Sequence, residues 1–446
     1  MNGAIAAGHP LTAEAGSRVL EIGGNATDAA IGAAFAAFVA EGPLTGPAGG
    51  GFVLVHAGGK VCHLDCFFAV PERSLGEMDE LVVDFADAAT QVFHVGEGSV
   101  AVPGLLAGLA ETHRRFGRAP WAELVEPAIE LARGGVDVNE AQAFLHGILA
   151  PILHREEGGR RLYEDPDRVE TVDLIPTLEL IRDEGPAAAA ALIPELADEI
   201  AAYEVVEREP IATSFRGTSV VSAAPPSRGG GIVAQALAEL DDAEPGLLSL
   251  ATALADAYAG SAPTPNLTGT TQISVVDAAG DAVALSSTLG SGSGVFRHGA
   301  QLNNMLGELD VIGTHPKAPG ERLASMMTPT LVLEDGRPRL ALGSAGSVRL
   351  AGAIVQVIEA VIGRGEPVDE AIAAPRIHVE GDGPVHLEGG RPDADASELV
   401  EAGREVVRWA GRNLFFGGVA AVERRADGSL DASGDPRRGG AGHVVA

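Results

Sequence analysis

A change of hydrophobic pattern near residue 270 constrains the fold of this chain more than any other feature. Residues 100–200 repeat apolar positions at helical spacing, as in LLAGLAETHRRF and WAELVEPAIELARGG. After residue 270, short runs rich in β-branched residues face each other across turn signals, and the Asp-Gly pair at 335–336 joins TLVLE to RPRLALG. A helix-rich first part followed by antiparallel hairpins predicts an α+β fold in which helices cover packed sheets.

The charge and composition of the chain exclude several classes of partner. The 446 residues carry a formal net charge of −31, and this negative field repels nucleic acid and anionic membrane surfaces. Two cysteines, Cys62 and Cys66, stand about 13 Å apart on one face of a predicted strand, which is too far for a disulfide. His63 points to the other face of that strand. We therefore expect no nucleic acid, no membrane, no metal and no cofactor.

The cellular location follows from the apolar segments. The N-terminal residues have no basic stretch followed by an apolar one, and the longest apolar run, 29–40, is too short and too rich in alanine to span a bilayer. Without a disulfide framework, a reducing compartment is favoured. We expect a soluble protein of the cytoplasm.

The start of one predicted strand, GTTQISVVD at 269–277, holds a candidate nucleophile. Common nucleophile, metalloprotease and phosphate-binding motifs are missing from the sequence. If the bond between Gly269 and Thr270 is cut, the new α-amine, with a reference pKa of about 7.7–8.0, becomes the general base for the Thr270 hydroxyl. The bond follows a Pro- and Thr-bearing loop, SAPTPNLTG. By spacing alone, two threonines at the polar end of a strand are the simpler interpretation.

A second candidate element is the turn GSAGSVR at 343–349, between a predicted strand and a helix. Its small residues leave backbone N–H groups free to stabilise an oxyanion near the helix N-terminus. Taken alone, the pattern favours an ordinary helix start capped by Ser347.

Short blocks of sequence follow one another in a fixed order along the whole chain. They are GHPLTAEAG (8–16), GGNATDAA (23–30), EGPLTGPAGGGF (41–52), SVAVPG (99–104), RFGRAPWAEL (115–124), PAIELARGG (127–135), PPSRGGG (225–231), TTQISVVD (270–277), LNNMLGE (302–308), SMMTPT (325–330), GSAGS (343–347), APRIH (374–378) and GDPRRGG (434–440). In order and spacing, this set resembles the γ-glutamyltransferase (γ-glutamyltranspeptidase) family of N-terminal-nucleophile hydrolases. The chain is shorter than typical members, mainly between 240 and 265.

The resemblance implies a four-layer αββα sandwich that cleaves itself before the nucleophile. The bond between Gly269 and Thr270 would be cut. Residues 1–269 would become the large subunit and residues 270–446 the small one, each the other's partner in one intertwined domain.

The resemblance also implies roles for individual residues. Thr270 would be the nucleophile, with its own amine as base, and Thr288 would support it by hydrogen bonding. Gly346 and Ser347 match the pair whose backbone N–H groups form the oxyanion hole. Asn304 lies in a segment that borders the substrate pocket in the family.

The substrate side departs from the family pattern. In transpeptidases of the family, an arginine in an Asp-x-Arg-Glu run binds the donor's α-carboxylate, but Phe67 stands at that position and Phe68 at the glutamate. A phenyl ring cannot replace a bidentate guanidinium. Glu308 matches the acid that binds the donor's α-ammonium, and Ser325 is the retained member of a serine pair. Met326, Gly290 and Gln272 replace a serine, an asparagine and a histidine, respectively.

Two interpretations of these changes stay open. Either Phe67 and Phe68 are core residues and Arg228 or Arg297 supplies the missing carboxylate contact, or the pocket takes a different acyl group. The second, which we favour, is the case in the family's oxamate amidohydrolases and cephalosporin acylases.

The expected function is a self-processing hydrolase or acyltransferase for small-molecule amides, in which water resolves an acyl-enzyme on Thr270. A conventional γ-glutamyltransferase or glutathione hydrolase acting on γ-glutamyl substrates is one alternative, and an unprocessed inactive homologue is another.

Overall fold

The computed structural model describes residues 2–85, 89–259, 269–308 and 317–446. Within these ranges the helices are α1 (Pro10–Glu21), α2 (Ala26–Ala40), α3 (Leu105–Phe116), α4 (Trp121–Gly134), α5 (Glu140–Leu153), α6 (Glu157–Tyr163), α7 (Ile175–Glu184), α8 (Ala188–Leu192), α9 (Ala197–Ala201), α10 (Gly229–Asp241), α11 (Leu247–Tyr258), α12 (Leu350–Ile358), α13 (Val368–Ala373) and α14 (Asp393–Glu401). The strands are β1 (Gly3–Ala7), β2 (Gly50–Ala57), β3 (Lys60–Cys66), β4 (Asp79–Phe85), β5 (Ala89–Val95), β6 (Val136–Asp137), β7 (Arg168–Val169), β8 (Val206–Arg208), β9 (Ile211–Phe215), β10 (Thr218–Ser222), β11 (Gly269–Asp277), β12 (Ala282–Gly290), β13 (Phe296–Arg297), β14 (Ala300–Gln301), β15 (Thr330–Glu334), β16 (Arg337–Ala345), β17 (Ile377–His378), β18 (Val385–Leu387), β19 (Val406–Arg408), β20 (Gly418–Arg424), β21 (Leu430–Gly434) and β22 (Ala441–Val445).

Two antiparallel sheets stack face to face at the centre of the molecule. The larger follows the order β22–β1–β11–β12–β2–β3–β8, and the second follows β21–β20–β16–β15–β10–β9. Small and branched apolar side chains fill the space between them. This inner core includes Ala4, Val276 and Ala284 from the larger sheet and Val221, Leu331 and Ala420 from the second.

Helices cover the outer face of each sheet. On the larger sheet, α1, α2 and α4 form a core in which Ile31 and Phe35 join Ile273 of β11. On the second sheet, α10, α11 and α12 form another, in which Ile354 joins Leu342 of β16. The architecture is therefore the expected α+β fold, a four-layer αββα sandwich.

The alternation of β11 separates two environments at its N-terminal end. Ile273 packs in the helix-side core and Val276 in the core between the sheets, so odd-numbered residues face the helices and even-numbered ones face the second sheet. Ser274 Oγ accordingly donates to the carbonyl of Ala420 in the second sheet at 2.9 Å. By the same period, Thr270 faces the second sheet and Thr271 faces the helices.

Local predictions from sequence are largely confirmed. The hairpins β2–β3, β11–β12, β15–β16 and β20–β21 form as expected, and the helix predicted at 350–362 is α12 followed by a π-helical turn, Glu359–Gly363. The loop SAPTPNLTG lies outside the described residues except for its last glycine, Gly269.

From sequence, Thr12 is expected to cap a first helix that begins at Ala13, and this expectation is wrong. Helix α1 begins three residues earlier, at Pro10, and the Nδ1 atom of His9 accepts a hydrogen bond from the N–H of Leu11 at 3.2 Å. The Thr12 hydroxyl instead donates to the carboxylate of Glu41 at 2.7 Å. The Thr12 hydroxyl therefore binds Glu41, which is distant in sequence, and does not cap the helix.

The cysteines and the apolar helices have simple environments. Cys62 and Cys66 carry free thiols, and burial raises the pKa of Cys62 to about 11 and that of Cys66 to about 12. Both are therefore protonated and unreactive at neutral pH. Within the described part of the chain, every helix is too short or too polar to span a bilayer.

Candidate active site

A small cavity lies at the start of β11, and Thr270 forms part of its wall. We call it the front cavity; it is lined by Phe67, Thr270, Thr288, Gly290, Met305, Ser325, Met326, Met327, Ser347 and Leu350. Its volume is about 20 Å³, which is room for about one water molecule. Among the described residues, its lining consists of apolar and hydroxyl side chains without an ionisable group. Six residues singled out from the sequence thus meet there: Phe67, Thr270, Thr288, Gly290, Ser325 and Ser347.

An irregularity in the pairing of β11 with β12 aims Thr288 at the bond before Thr270. The pairing shifts by one residue between Gly269 and Thr271, so that two residues of β12 oppose one of β11. The Thr288 hydroxyl donates a hydrogen bond to the carbonyl oxygen of Gly269, and it accepts one from the N–H of Gly290 at 2.8 Å. A donor on that oxygen stabilises the negative charge that develops when a nucleophile attacks the Gly269 carbonyl.

The turn after β16 has an unusual backbone conformation. Gly346 has a φ of 136° and Ser347 a φ of 57°, in the left-handed region that serine rarely adopts. Gly417 approaches Gly346 so closely that a Cβ atom there would lie 2.8 Å from its Cα. The idea that Ser347 caps the following helix is wrong, because no side-chain cap begins the turn Ser347–Arg349. A strained turn bordering the front cavity agrees with the oxyanion role, which stays a prediction.

Tyr258 in α11 holds this turn in place and was missed by sequence reasoning. Its buried hydroxyl donates to the carbonyl of Val348 at 2.5 Å and accepts from the N–H of Gly352 at 3.1 Å. These two bonds tie the turn to the start of α12. The sequence gives no signal for this contact, since Tyr258 lies about 90 residues before its partners.

Asn304 and Glu308 lie together behind Gly290. Asn304 Oδ1 accepts from the N–H of Ser291 at 2.8 Å, and Glu308 Oε1 accepts from the N–H and the hydroxyl of Ser291 at 2.9 Å each. A Cβ atom at Gly290 would collide with Asn304, so glycine is required by this close approach. Neither Asn304 nor Glu308 lines the front cavity, and their roles in substrate binding stay predictions.

Phe67 belongs both to the core and to the wall of the front cavity. It is 1% exposed, stacks on Phe52 with ring centroids 5.2 Å apart, and meets the edge of Phe68 at 4.9 Å. Ser325 lies across the cavity, where its Oγ accepts from the N–H of Met327 at 3.0 Å. The two interpretations of Phe67, core residue and altered pocket, are therefore compatible.

The two arginines considered as substitutes for the family's carboxylate clamp lie away from the cavity. Arg297 binds Glu97 at 3.0 Å and Glu195 at 2.6 Å. Arg228 has an exposed side chain, and its backbone N–H donates to the carbonyl of Ser325 at 2.7 Å. Neither of these side chains lines the front cavity, and no other cationic side chain does so in the described part of the chain.

A buried carboxylate on the helix side of β11 was also missed. Glu41, at the end of α2, accepts hydrogen bonds from the hydroxyls of Thr12 at 2.7 Å and Thr271 at 2.6 Å. Burial raises the pKa of this carboxyl, and the two threonine bonds oppose that rise. An acid directly after an alanine-rich buried helix was the available signal. Glu41 fixes Thr271, and through it the strand position next to Thr270.

The chain is similar in sequence and in fold to known proteins. The family model described as Gamma-glutamyltranspeptidase matches residues 12–252 and 246–445. The Acylase ACY 1 proenzyme of Pseudomonas sp. (strain SE83) is 30% identical over 518 residues, which cover 96% of this chain and 91% of that protein. The Glutathione hydrolase proenzyme of Pseudomonas aeruginosa is 28% identical, over 99% of this chain and 94% of that protein. The crystal structure of cephalosporin acylase from Bacillus halodurans shares the fold, with a TM-score of 0.83 at 21% identity over 99% of this chain and 95% of that chain. The chain therefore belongs to the gamma-glutamyltranspeptidase family of N-terminal-nucleophile hydrolases and acyltransferases.

Proposed function

We propose that this chain is cleaved between Gly269 and Thr270 and that Thr270 then hydrolyses amides whose acyl group is apolar and uncharged. The front cavity supports this choice of acyl group. Thr270 lies there beside Phe67 and methionines and, among the described residues, beside no charged side chain. A carboxylate buried there would lose its water without gaining a cation, which is strongly unfavourable. The 30% identity to a protein named as an acylase supports the hydrolysis of an acyl amide by this chain.

Cleavage of the chain would begin at the Gly269 carbonyl. Thr270 Oγ attacks the carbonyl carbon, and its proton passes to the amide nitrogen as the C–N bond breaks. An ester then joins Gly269 to Thr270 Oγ, and the α-amine is free. The hydrogen bond that Thr288 donates to the Gly269 oxygen stabilises the charge on that atom during the attack. Water then hydrolyses the ester, which leaves a carboxylate on Gly269 and a free hydroxyl on Thr270.

The mature site would apply the same chemistry to a substrate. The α-amine of Thr270 takes the proton from Oγ, which attacks the amide carbon of the substrate. The N–H groups of Gly346 and Ser347 stabilise the oxyanion. The proton passes to the leaving nitrogen as the C–N bond breaks, and water, activated by the same amine, releases the acid.

The proposal is tested by mass spectrometry of the purified chain followed by a panel of p-nitroanilides. We expect two fragments that meet at Gly269–Thr270, and faster release of p-nitroaniline from small aliphatic donors than from the γ-glutamyl donor. The Thr270→Ala variant serves as the matched control and should stay intact and inactive. A wild-type chain that remains uncleaved, and that matches Thr270→Ala in every assay, would instead identify an inactive homologue.

A conventional glutathione hydrolase is the second candidate. Glu308 is kept and lies buried directly behind Gly290, and the Pseudomonas aeruginosa relative carries that activity in its name. Turnover of γ-glutamyl-p-nitroanilide at or above the rate of the apolar donors would establish this function. Cleaved enzyme that leaves this substrate untouched would exclude it.

A further inference from the structure

The larger sheet has a gap beside Thr270, on the side of β11 that is away from β12. Ala7 at the end of β1 pairs with Ile273, so the first residues of β11 extend beyond β1. The turn between β21 and β22 closes over this gap, with the N–H of Gly440 donating to the carbonyl of Asp435 at 2.9 Å. A cavity remains there, which we call the side cavity. Its lining includes Thr270, Thr271, Glu41, Leu44, Asp435 and Arg438.

The side cavity continues into a second space, the outer cavity. The two share Gly8, Glu41, Leu44 and Arg438 in their linings, and the outer cavity adds the half-buried Leu145 and His146. Their volumes are about 20 and 30 Å³, so each has room for about one water molecule. Spaces of this size admit a small polar group, such as a carboxylate, next to Thr270.

Arg438 brings a positive charge to this space without a direct partner. Its neighbour Arg437 binds Glu388 at 2.5 Å and Asp435 at 3.1 Å. Within the described ranges, the Arg438 side chain makes no hydrogen bond or ion pair, and its Nε is buried without a partner. Burial lowers the pKa of Arg438 to about 10, so the guanidinium is still charged at neutral pH.

The acids that face Arg438 are engaged with other groups. Asp435 binds Arg376 at 2.6 Å in addition to Arg437. Glu41 accepts two threonine hydrogen bonds, and burial raises the pKa of its carboxyl and so favours its neutral form. Arg438 is half-buried and its acidic neighbours already have other partners, so its guanidinium can bind an entering anion.

We propose that Arg438 binds a carboxylate on the amine half of the amide substrate, an inference that rests on the function proposed above. Thr270 lines both cavities. With the acyl half in the front cavity, the amine half extends into the side cavity, where a guanidinium can hold a carboxylate by two parallel hydrogen bonds. In the intact chain the Gly269 carbonyl oxygen accepts from Thr288 and not from Arg438.

Two substrates that differ only in this charge test the proposal. The cleaved enzyme is assayed with an N-acylglycine and with the matching N-acylglycinamide, whose acyl group is the best one from the p-nitroanilide panel. We expect kcat/KM to favour the acid by on the order of 10- to 100-fold, as for a hydrogen bond to a charged group. Arg438→Gln should lower this ratio to about one while turnover of the glycinamide persists, and Arg438→Lys should keep part of the preference.

The outcomes separate this proposal from the proposed function. A wild-type ratio near one, or a ratio that is unchanged in a folded and cleaved Arg438→Gln, would overturn the role of Arg438 and leave the hydrolase intact. Equal loss with both substrates in Arg438→Gln and Arg438→Lys would show a structural role and also overturn it. If the cleaved enzyme hydrolyses neither substrate, calorimetry with glycine and glycinamide decides: tighter binding of glycine that Arg438→Gln removes supports the site, and equal binding rejects it.

Discussion

The two cavities that meet at Thr270 differ in the charges that line them. The ring of Phe67 and the thioethers of three methionines line the front cavity, whereas Glu41, Asp435 and Arg438 line the side cavity. The bond from Thr271 to Glu41, which holds the strand between the two cavities, lies in the wall of the side cavity and not in that of the front cavity. The support of the nucleophile is therefore separate from the wall in which Phe67 stands at the position where the resemblance implies a charged clamp.

Thr270 lines both cavities, and its replacement should have the largest effect on cleavage and activity. Thr270→Ala lacks the attacking oxygen, so we expect an uncleaved chain and a loss of activity of about 10⁴-fold or more. Intact mass and the rate with the best donor measure the two effects. Thr270→Ser, which keeps a hydroxyl, should still be cleaved. Cleavage of the Thr270→Ala chain at the same bond would show that another residue is the nucleophile.

Truncating Phe67 tests the front cavity without touching the side cavity. The ring is buried and stacked on Phe52, so Phe67→Ala should lower the free energy of unfolding by about 3–5 kcal/mol. Phe67→Leu, the matched control, should lose less than about 2 kcal/mol. Urea unfolding gives both values. In the folded Phe67→Leu, we also expect altered selectivity among acyl donors; unchanged selectivity would make Phe67 a core residue only.

Thr288 lines the front cavity, and its hydroxyl contacts the bond to be cut. Thr288→Val keeps the shape of the side chain but removes the donor to the Gly269 oxygen. We expect cleavage to slow by about 10²–10³-fold, as when one oxyanion donor is lost. Time courses on denaturing gels measure this rate. Thr288→Ser should cleave at close to the wild-type rate, and equal rates for Val and Ser would contradict the role.

The sheet hairpins could be predicted because their signals are local. The Asp-Gly turn of β15–β16 and the apolar runs on either side of it lie within about a dozen residues. The candidate site depended on blocks spread over the chain, which placed Thr270, Thr288 and Ser347 by resemblance. The structure then brought all three to one cavity.

The supporting charges could not be predicted because they depend on distant contacts. Thr271 meets Glu41 across 230 positions of sequence, and Arg438 reaches the side cavity only because the turn between β21 and β22 folds over the end of β1. Thr12 shows the same limit, since its tertiary partner outcompeted a local cap. Sequence periodicity predicts which face of a helix or strand a residue occupies. It does not predict the partner residue, which comes from another part of the chain.

The smallest effect is expected at Ser347, whose proposed contribution to catalysis is a backbone N–H. Its φ of 57° costs about 1 kcal/mol for a residue with a side chain. Ser347→Gly removes that strain but adds freedom to the unfolded chain, so the free energy of unfolding should change by less than about 1 kcal/mol, with activity retained. Ser347→Val, in contrast, places a β-branched residue in a conformation it avoids, and both stability and activity should fall. Thermal unfolding and the donor assay compare the two variants. A folded Ser347→Gly that is cleaved but inactive would assign the function to the hydroxyl, and the oxyanion hole would then need a donor other than this backbone group.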